Sequence, residues 1–489
     1  MLEFIIAAPV VFGLFSYLLS SRPRWAEVSA FLGAAIALAL TALAAQQFLA
    51  TGAPVTSLSG TLYMDSISAL LTGVTITVSF LVFFYSIGYI RGEVEHGEVD
   101  EKRLGTYYCL LSLFLATMLA ATLASNLLVM WAAIEATTLA SAFLISFYNK
   151  PEALEAAWKF FLINSVGITL ALVGIILLAV GMTNATGGIN LDIATLMGTV
   201  SSVDPFMLKL AFAFVFVGFG TKVGIVPLHT WLPDAHSQAP TPVSAVLSGV
   251  LLNIALYGIL RVYQAISQVP DAASFAASLF LFFGIISVGF ASMRLFYQKH
   301  VKRLLAYSSV ENMGIIMVAF GIGGPIGLFA AFFHLISHSL AKPLAFITGG
   351  VITSAFKTKD MDKIAGAAEA VPLFGLLFLL VALGVAGSVP FGTFFSEIAL
   401  FAAGLSTANY LAVVLLVVFL TIAFGTMLIR ISEIVLGSKP EAMPVFRPDF
   451  TMGAAIVALF LLAVYAAFAA PAPMISLIAA SSRALTGGV

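Results

Sequence analysis

The chain of 489 residues is built largely from uninterrupted apolar runs, most of them about 20 residues long or longer. A run of that length crosses the hydrocarbon core of a bilayer as an α-helix, which satisfies its own backbone hydrogen bonds. Charged residues make up only 9% of the chain, against about a quarter in soluble domains. The sequence therefore predicts an all-α, polytopic membrane protein.

The apolar runs predict about fourteen membrane-spanning helices. Pro471 and Pro473 indicate that the last helix is kinked or divided, because proline interrupts helical hydrogen bonding. The N-terminus lacks the basic segment of a secretory signal, so we expect a retained first helix. The predicted helices cover residues 2–20, 27–49, 63–90, 105–123, 126–147, 155–181, 206–226, 241–263, 272–294, 301–322, 326–354, 370–402, 407–436 and 450–480.

Lysine and arginine are distributed unevenly over the predicted loops. Most of the 22 basic residues follow odd-numbered helices, whereas the even-numbered loops and the C-terminal tail hold Lys209, Arg261 and Arg483. Loops rich in basic residues face the cytoplasm. We therefore expect a multi-pass protein of the cell inner (cytoplasmic) membrane, with both termini on the non-cytoplasmic side.

The chain carries little that could hold a cofactor. Its one cysteine, Cys109, excludes an internal disulfide and a cysteine-ligated iron–sulfur cluster. No glycine-rich nucleotide loop or c-type haem motif occurs, and a net charge of −1 gives no indication of nucleic-acid binding. The sequence predicts no cofactor and no catalytic centre in this chain, so any redox chemistry belongs to other polypeptides.

Ionisable residues lie in the middle of predicted spans, where a charge costs several kcal/mol and usually faces water or a partner. They are Glu135, Lys222, Lys342 and Glu397. The functional interpretation is a proton path. The alternatives are a structural carboxylate at Glu135, bonded to hydroxyls or backbone, and a fixed salt bridge between Glu135 and Lys222.

Two of these residues lie beside predicted helix breaks. Pro227 should interrupt the helix just after Lys222, and Pro390 should do the same shortly before Glu397. One broken helix with an ionisable group in each half favours two inverted five-helix repeats, a known transporter design. The predicted organisation is residues 1–104 for helices 1–3, 105–263 for the first repeat, 272–436 for the second repeat and 450–489 for the C-terminal helix.

His334, His338 and Lys342 are spaced four residues apart, which places them along one helix face. Imidazoles titrate near neutral pH and relay protons readily. The alternatives are core histidines bonded to the backbone and, because His-x-x-x-His suits one face of a zinc site, a metal site.

A polar, proline-rich loop follows the first predicted break. It contains His229, Asp234 and His236, which could pass protons from the cytoplasm to Lys222. The alternative is a structural turn whose side chains cap helices.

Several motifs resemble one family over roughly residues 60–440. The stretch GTKVGIVPLHTWLPDAHSQAPTPVSA at 220–245 is similar to the antiporter-like membrane subunits of respiratory complex I, energy-converting nickel–iron hydrogenases and multisubunit sodium/proton antiporters. Within that family, WAAIEATTLASA at 131–142, KPEALEAAWK at 150–159 and YSSVENMG at 307–314 look most like the large antiporter-like subunit of formate-hydrogenlyase-type hydrogenases.

The resemblance implies roles for individual residues. Glu135 would pair with Lys222 of the broken seventh helix. Lys342 with His338 would form the relay of the second half, and Glu397 of the broken twelfth helix would release the ion. Two unit charges about 4 Å apart attract by about 4 kcal/mol at an effective dielectric near 20. We hypothesise that a partner subunit separates the pair, so that Lys222 releases its proton inward.

Two positions depart from the family pattern. Asn253 stands where many relatives carry a lysine, and Asn312 stands where many carry a histidine. The resemblance therefore implies a gap in the middle of the path, which water or the neighbouring Glu311 would have to fill.

The resemblance implies a proton-translocating membrane subunit of a redox-driven respiratory complex, an energy-converting hydrogenase or a relative of complex I. Its partners would be further antiporter-like and small membrane subunits, lipid and a cytoplasmic redox arm that carries the iron–sulfur clusters and the nickel–iron or quinone chemistry. The alternatives are a sodium/proton antiporter subunit and a non-conducting scaffold.

Overall fold

The computed structural model describes residues 1–438 and 446–486. Lys439, which counts towards the predicted cytoplasmic face, lies outside the described residues, as do the last three residues of the predicted C-terminal segment. Within the described part, twelve helices are long and apolar enough to cross a membrane. The prediction of an all-α, polytopic membrane protein is confirmed, whereas the count of fourteen spans and the inverted repeats stay predictions.

The helices follow one another with short connections. They are α1 Leu2–Leu18, α2 Pro23–Thr51, α3 Ser66–Glu95, α4 Leu104–Leu123, α5 Leu127–Ile145, α6 Pro151–Thr186, α7 Ile193–Thr199, α8 Pro205–Val223, α9 Leu232–Gln238, α10 Thr241–Val246, α11 Leu252–Ile266, α12 Pro270–Leu295, α13 Val301–Ile322, α14 Gly324–Phe356, α15 Ala367–Ala370, α16 Pro372–Val385, α17 Gly392–Ser406, α18 Tyr410–Leu436, α19 Phe450–Phe468 and α20 Ala472–Leu485.

A π-helix, Leu247–Leu251, joins α10 to α11, so that Thr241–Ile266 forms one continuous span. Short 3-10 helices occupy Leu58–Gly60, Glu101–Arg103, Val200–Ser202 and Met361–Lys363.

A small hairpin precedes the third helix. Strands β1 (Val55–Ser57) and β2 (Leu62–Met64) pair antiparallel. The predicted start of this helix at residue 63 is therefore wrong. Asp65 caps α3 instead, since its carboxylate accepts a hydrogen bond from the backbone N–H of Ser68 at 2.9 Å, and such a cap satisfies a free donor of the first turn.

Three of the predicted proline breaks are present. α8 ends at Val223, one residue after Lys222. The predicted helix 370–402 is divided into α16 and α17 around Pro390, and the predicted helix 450–480 into α19 and α20. The peptide bonds before Pro227 and Pro390 are both cis.

Two spans form the centre of the molecule. The apolar windows of Thr241–Ile266 and of α13 are entirely buried by other helices. By contrast, α12 and α19 bury only about a third of theirs and leave large apolar side chains on the surface. Small residues permit close helix contact: a Cβ on Gly284 of α12 would lie 2.9 Å from the carbonyl oxygen of Gly314 on α13. The central spans carry the polar side chains described next.

Candidate ion path

Lys222 lies at the end of α8, where the helix stops. Gly224 adopts the left-handed conformation (φ +82°), which is strained for residues with a Cβ. The side chain of Lys222 is fully buried. Its ammonium donates to the carbonyl oxygen of Ile134 at 2.6 Å and to the hydroxyl oxygen of Thr138 at 2.5 Å. Lys222 is thus held by α5.

Glu135 does not form the direct ion pair with Lys222 that the family resemblance implies; among the described residues Lys222 forms no salt bridge. Instead the hydroxyl of Thr138 donates to Glu135 Oε2 at 3.2 Å, and that of Ser165 donates to Oε1 at 2.9 Å. Ile134 and Thr138 share a helix face, whereas Glu135 is rotated by about 100° from Ile134. The carboxylate is half-buried and turns towards α6. A hydroxyl therefore bridges the two charges.

The second group of ionisable residues lies on α14. The Lys342 ammonium donates to the carbonyl oxygen of Leu305 at 3.2 Å and to the hydroxyl of Ser308, both on α13. His338 Nε2 lies 3.2 Å from the carbonyl oxygen of Ser248, within the π-helix. π-helices often occur at functional sites, and here one faces an imidazole.

Asn312, one of the two positions where the resemblance implies a gap, contacts His334. The Asn312 amide donates to the carbonyl oxygens of Ser308 at 2.8 Å and Val385 at 3.3 Å, so its oxygen faces the imidazole. His334 Nε2 lies 3.2 Å from that oxygen, and Nδ1 lies 2.8 Å from the Ser396 hydroxyl. An amide and a hydroxyl thus hold the two ring nitrogens.

Asn253 lies between the two groups. Its amide donates to the Ser339 hydroxyl at 2.7 Å and to the Gly249 carbonyl oxygen at 3.0 Å, while its own oxygen is buried without a hydrogen bond. Glu311 is also buried, and its Oε2 has no hydrogen-bond partner. No hydrogen bond between described residues joins Lys222 directly to the α14 group. The gap that the resemblance implies at Asn253 stays a prediction.

Glu397 lies just after the second helix break. Its carboxylate lies against Gly387, where a Cβ would come within 2.3 Å of Oε2. Gly387 has φ +88°, so the left-handed turn and the close approach both require glycine here. The side chain is buried, and no hydrogen bond to the carboxylate is present among the described residues. The preceding residue, Ser396, contacts His334.

The three predicted residues of the loop after the first break contact different parts of the protein. His229 packs against Phe290, with ring centres 4.8 Å apart; burial, followed by the charge of Arg294, lowers its pKa to about 4. Asp234 forms ion pairs with Arg303 at 2.5 Å and Lys159 at 3.5 Å. The predicted group that would serve Lys222 is therefore dispersed.

His236 lies towards the second group and not beside Lys222. Its ring stacks on Phe346, one turn from Lys342, with centres 5.0 Å apart, and both ring nitrogens are buried without a partner. Burial and then the charges of Lys342 and Lys302 lower the pKa of His236 to about 3. His236 is therefore neutral at physiological pH.

Sequence reasoning missed the hydroxyls that bind the charged groups. Thr138, Ser308 and Ser396 each contact an ionisable group directly. The sequence pattern that could have identified such a hydroxyl is a Ser or Thr one helical turn from an acid, as in Glu135-x-x-Thr138. The described residues contain no cluster of three or more metal-ligating side chains, and His334 and His338 bind protein groups.

The fold and these groups define a class: a polytopic helical membrane protein with two broken helices and buried ionisable side chains between them. The chain belongs to the family of transmembrane subunits described as NADH:quinone oxidoreductase/Mrp antiporter, whose model matches residues 124–423. A second model, the N-terminus of complex I chain 5, matches residues 53–97.

Named relatives support this membership. The chain is 35% identical over 385 residues to a hydrogenase-4 component F homolog of Methylacidiphilum infernorum, covering 78% of this chain and 80% of the relative. It is 30% identical to NADH-quinone oxidoreductase subunit M of Pseudomonas aeruginosa, covering 86% and 81%. A subunit of an archaeal membrane-bound sulfane sulfur reductase has the same fold, with a TM-score of 0.86 at 21% identity over 99% of this chain and 97% of that one.

Proposed function

We propose that this chain is the proton-translocating membrane subunit of a redox-driven respiratory complex, of the energy-converting hydrogenase (formate-hydrogenlyase) type. The observation that carries the proposal is a series of ionisable groups within the membrane-spanning part, from the half-buried Glu135 to the buried Lys222, His338, Lys342 and Glu397. Such groups inside a membrane are costly and are kept where ions pass. The relationship to hydrogenase-4 component F supports the type of complex.

The Thr138 hydroxyl is central to the first half of the mechanism. It accepts from Lys222 while donating to Glu135, so a displacement of Glu135 is felt by Lys222 through one hydrogen bond. A hydrogen bond to a charged group contributes about 1.5–3 kcal/mol. A partner subunit that moved Glu135 would thereby weaken the hold on the Lys222 proton, which then moves inward through water near Asn253.

The second half relays the proton along α14. Lys342, His338 and His334 are all fully buried. The Ser396 hydroxyl lies 2.7 Å from the Thr393 carbonyl oxygen and 2.8 Å from His334 Nδ1, so it can donate to either. When it turns to the carbonyl, Nδ1 is free to take a proton. Glu397, next to Ser396, then receives that proton and releases it on the far side.

The assembly follows from the same arrangement. The residues of the two predicted repeats, 105–263 and 272–436, would each supply half of the path. Glu135 is half-buried beside exposed apolar residues of α5 and α6, such as Phe143 and Leu162, which suits contact with another membrane subunit. Iron–sulfur, nickel–iron or quinone chemistry would reside in the partners. The proposed location is the inner membrane, with both termini on the non-cytoplasmic side.

The test is Lys222→Met in the complete complex reconstituted into vesicles. We expect redox-driven proton uptake to be abolished, because the side chain that receives the proton is gone. Lys209→Met is the matched control, since Lys209 lies on the same helix but outside the path. Proton uptake is followed with a pH-sensitive dye in sodium-free medium, and electron transfer is measured in parallel.

Full proton uptake by Lys222→Met would refute the proposal. Uptake that requires added sodium in the wild type would identify a sodium/proton antiporter subunit instead. Normal coupling after Glu135, Lys222 and Glu397 are neutralised together would identify a scaffold.

A further inference from the structure

A cavity of about 570 Å³ lies outside the ion path, at the end of the helices that the charge pattern predicts to be cytoplasmic. Residues from the ends of α3 and α14, the loop before α10 and the start of α13 line it. None of the proposed path residues from Glu135 to Glu397 contributes to its walls. The proposed proton path therefore does not account for it.

Among the described residues, basic side chains outnumber acidic ones around the cavity. Lys150, Lys302, Lys357 and Lys359 line it, against two described carboxylates. Both carboxylates are already engaged: the Lys150 ammonium donates to Glu98 Oε2 at 2.7 Å, and the Tyr148 hydroxyl donates to Glu93 Oε2 at 2.7 Å.

The other three cavity lysines form no salt bridge among the described residues. Elsewhere on this side of the molecule basic groups do lie against carboxylates, as Arg303 does against Asp234 at 2.5 Å and Arg430 against Asp362 at 2.8 Å. The cavity therefore differs from an ordinary basic membrane surface.

Two of the lysines are held in place by backbone contacts. The backbone N–H of Val301 donates to the Lys359 carbonyl oxygen at 3.1 Å, and that of Met361 donates to the Lys299 carbonyl oxygen at 2.8 Å. This pairing fixes the segment that carries Lys359 against the start of α13, which carries Lys302. A charged site fixed before binding loses less conformational entropy when a ligand arrives.

Their ammonium groups point at neutral partners. Lys302 donates to the Ala239 carbonyl oxygen at 2.9 Å, and Lys359 donates to that of Ser237 at 3.0 Å. Lys302 is only 4% exposed, and a buried charge without a counter-ion is costly. The stem of Lys359 is exposed, but protein atoms crowd its amine, and this burial together with the charge of Lys150 lowers its pKa. A bound anion would supply a counter-charge to the buried Lys302 ammonium and would favour the protonated form of Lys359.

We propose that this cavity binds a phosphate-bearing anion through Lys302, Lys357 and Lys359. A phosphate accepts hydrogen bonds from several directions, and lysine is a common point-charge ligand for it. Thr241 and Ser354 also line the walls, and each carries a hydroxyl that can donate to the phosphate oxygens. Basic pockets between helices at the cytoplasmic surface bind lipid headgroups. The phosphate is supplied either by an anionic lipid or by free phosphate in the cytoplasm.

The test uses the purified complex carrying Lys357→Gln and Lys359→Gln together. Both side chains are exposed, so folding is preserved. Lys363→Gln is the matched control, because Lys363 follows closely in the chain, pairs with Asp360 and does not line the cavity. In one arm, the complex is purified from vesicles in which about one fifth of the lipid is phosphatidylglycerol. Mass spectrometry then counts the phosphatidylglycerol molecules that remain bound. In the other arm, inorganic phosphate is titrated at constant ionic strength and thermal stabilisation is measured.

Loss of about one phosphatidylglycerol per complex in the double variant, with none lost in Lys363→Gln, supports a lipid headgroup. Phosphate-dependent stabilisation that weakens by about 30-fold in affinity in the double variant alone supports free phosphate. Equal behaviour of the double variant and Lys363→Gln in both arms overturns the proposal. Neither measurement depends on proton transport, so the outcome is independent of the proposed function.

Discussion

The two helix breaks hold their ionisable groups in opposite ways. Lys222 precedes its break and is fixed by a carbonyl and a hydroxyl of α5. Glu397 follows its break, lies against Gly387 and has no hydrogen bond among the described residues. Lys222 is fully buried, whereas Glu397 retains 7% exposure. The Lys222 ammonium is thus held by hydrogen bonds to α5, whereas no hydrogen bond among the described residues holds the Glu397 carboxylate.

The comparison indicates that a broken helix can place an ionisable group in two different environments. At the first break it brings a side chain to a fixed pair of acceptors, which suits a group that stores a proton until a signal arrives. At the second break it leaves a carboxylate beside bare backbone, which suits a group that exchanges protons. The following predictions test this contrast.

Glu397→Gln should have the largest effect. The amide retains the shape of the side chain but cannot carry a proton, and loss of a positioned proton-transfer group costs about a hundredfold. We expect redox-driven proton uptake in vesicles to fall by that order while electron transfer continues. Glu369→Gln is the control, because Glu369 of α15 is exposed. Undiminished uptake in Glu397→Gln would remove the second break from the path.

Thr138→Val should have the next largest effect, at the first break. Valine keeps the shape but removes the hydroxyl that bridges Lys222 and Glu135. A hydrogen bond to a charged group is worth about 1.5–3 kcal/mol, so we expect proton uptake to fall about tenfold. Thr41→Val is the control, because that buried hydroxyl donates to Ala37 of its own helix, α2, which carries none of the path residues. Equal losses in the two variants would contradict the bridging role.

Gly387→Ala and Gly224→Ala compare the two breaks directly. Both glycines are left-handed, so each alanine should lower the free energy of unfolding by about 1–2 kcal/mol. At Gly387 the new methyl also meets the Glu397 carboxylate, whereas at Gly224 it meets the flexible end of Leu232. We therefore expect similar falls in melting temperature but a larger loss of proton uptake for Gly387→Ala. A larger loss for Gly224→Ala would reverse the assignment.

The smallest expected effect is a change in the pH dependence of stability. It concerns only the loop that follows the first break. The pKa of His229 falls from its ordinary 6.5 to about 4 in the folded protein. The unfolded chain therefore binds more protons between these values, and stability declines as the pH falls from about 6.5 to about 4. His229→Gln should remove about 1 kcal/mol of this dependence, measured as the difference in melting behaviour between pH 7 and pH 4.5. An unchanged pH dependence would show that folding does not lower the pKa of His229.

The sequence was sufficient for features that depend on local chemistry. Pro227 and Pro390 placed both breaks, because proline lacks the backbone N–H that a helix interior needs. The rule is not absolute, since Pro343 lies inside the continuous α14. Apolar run length likewise gave the membrane class.

The sequence did not predict the contacts between side chains on distant helices. Arg261 was assigned to a polar loop, yet it is fully buried and donates to both oxygens of Asp65 at 2.6 and 2.7 Å. The contact between the Asn312 oxygen and His334 Nε2 at 3.2 Å was not predicted either. Each contact depends on how helices rotate against one another, which no local pattern records.

The π-helix at Leu247–Leu251 has a mechanical consequence. A π turn holds one residue more than an α turn, so converting it to α geometry would rotate everything beyond it by about 100°. Asn253 would then turn away from Ser339. Since Thr241–Ile266 is enclosed on all sides, such a twist could reach the α14 groups without any change at the lipid surface. The contact between Asn253 and Ser339 therefore depends on the winding of this one turn.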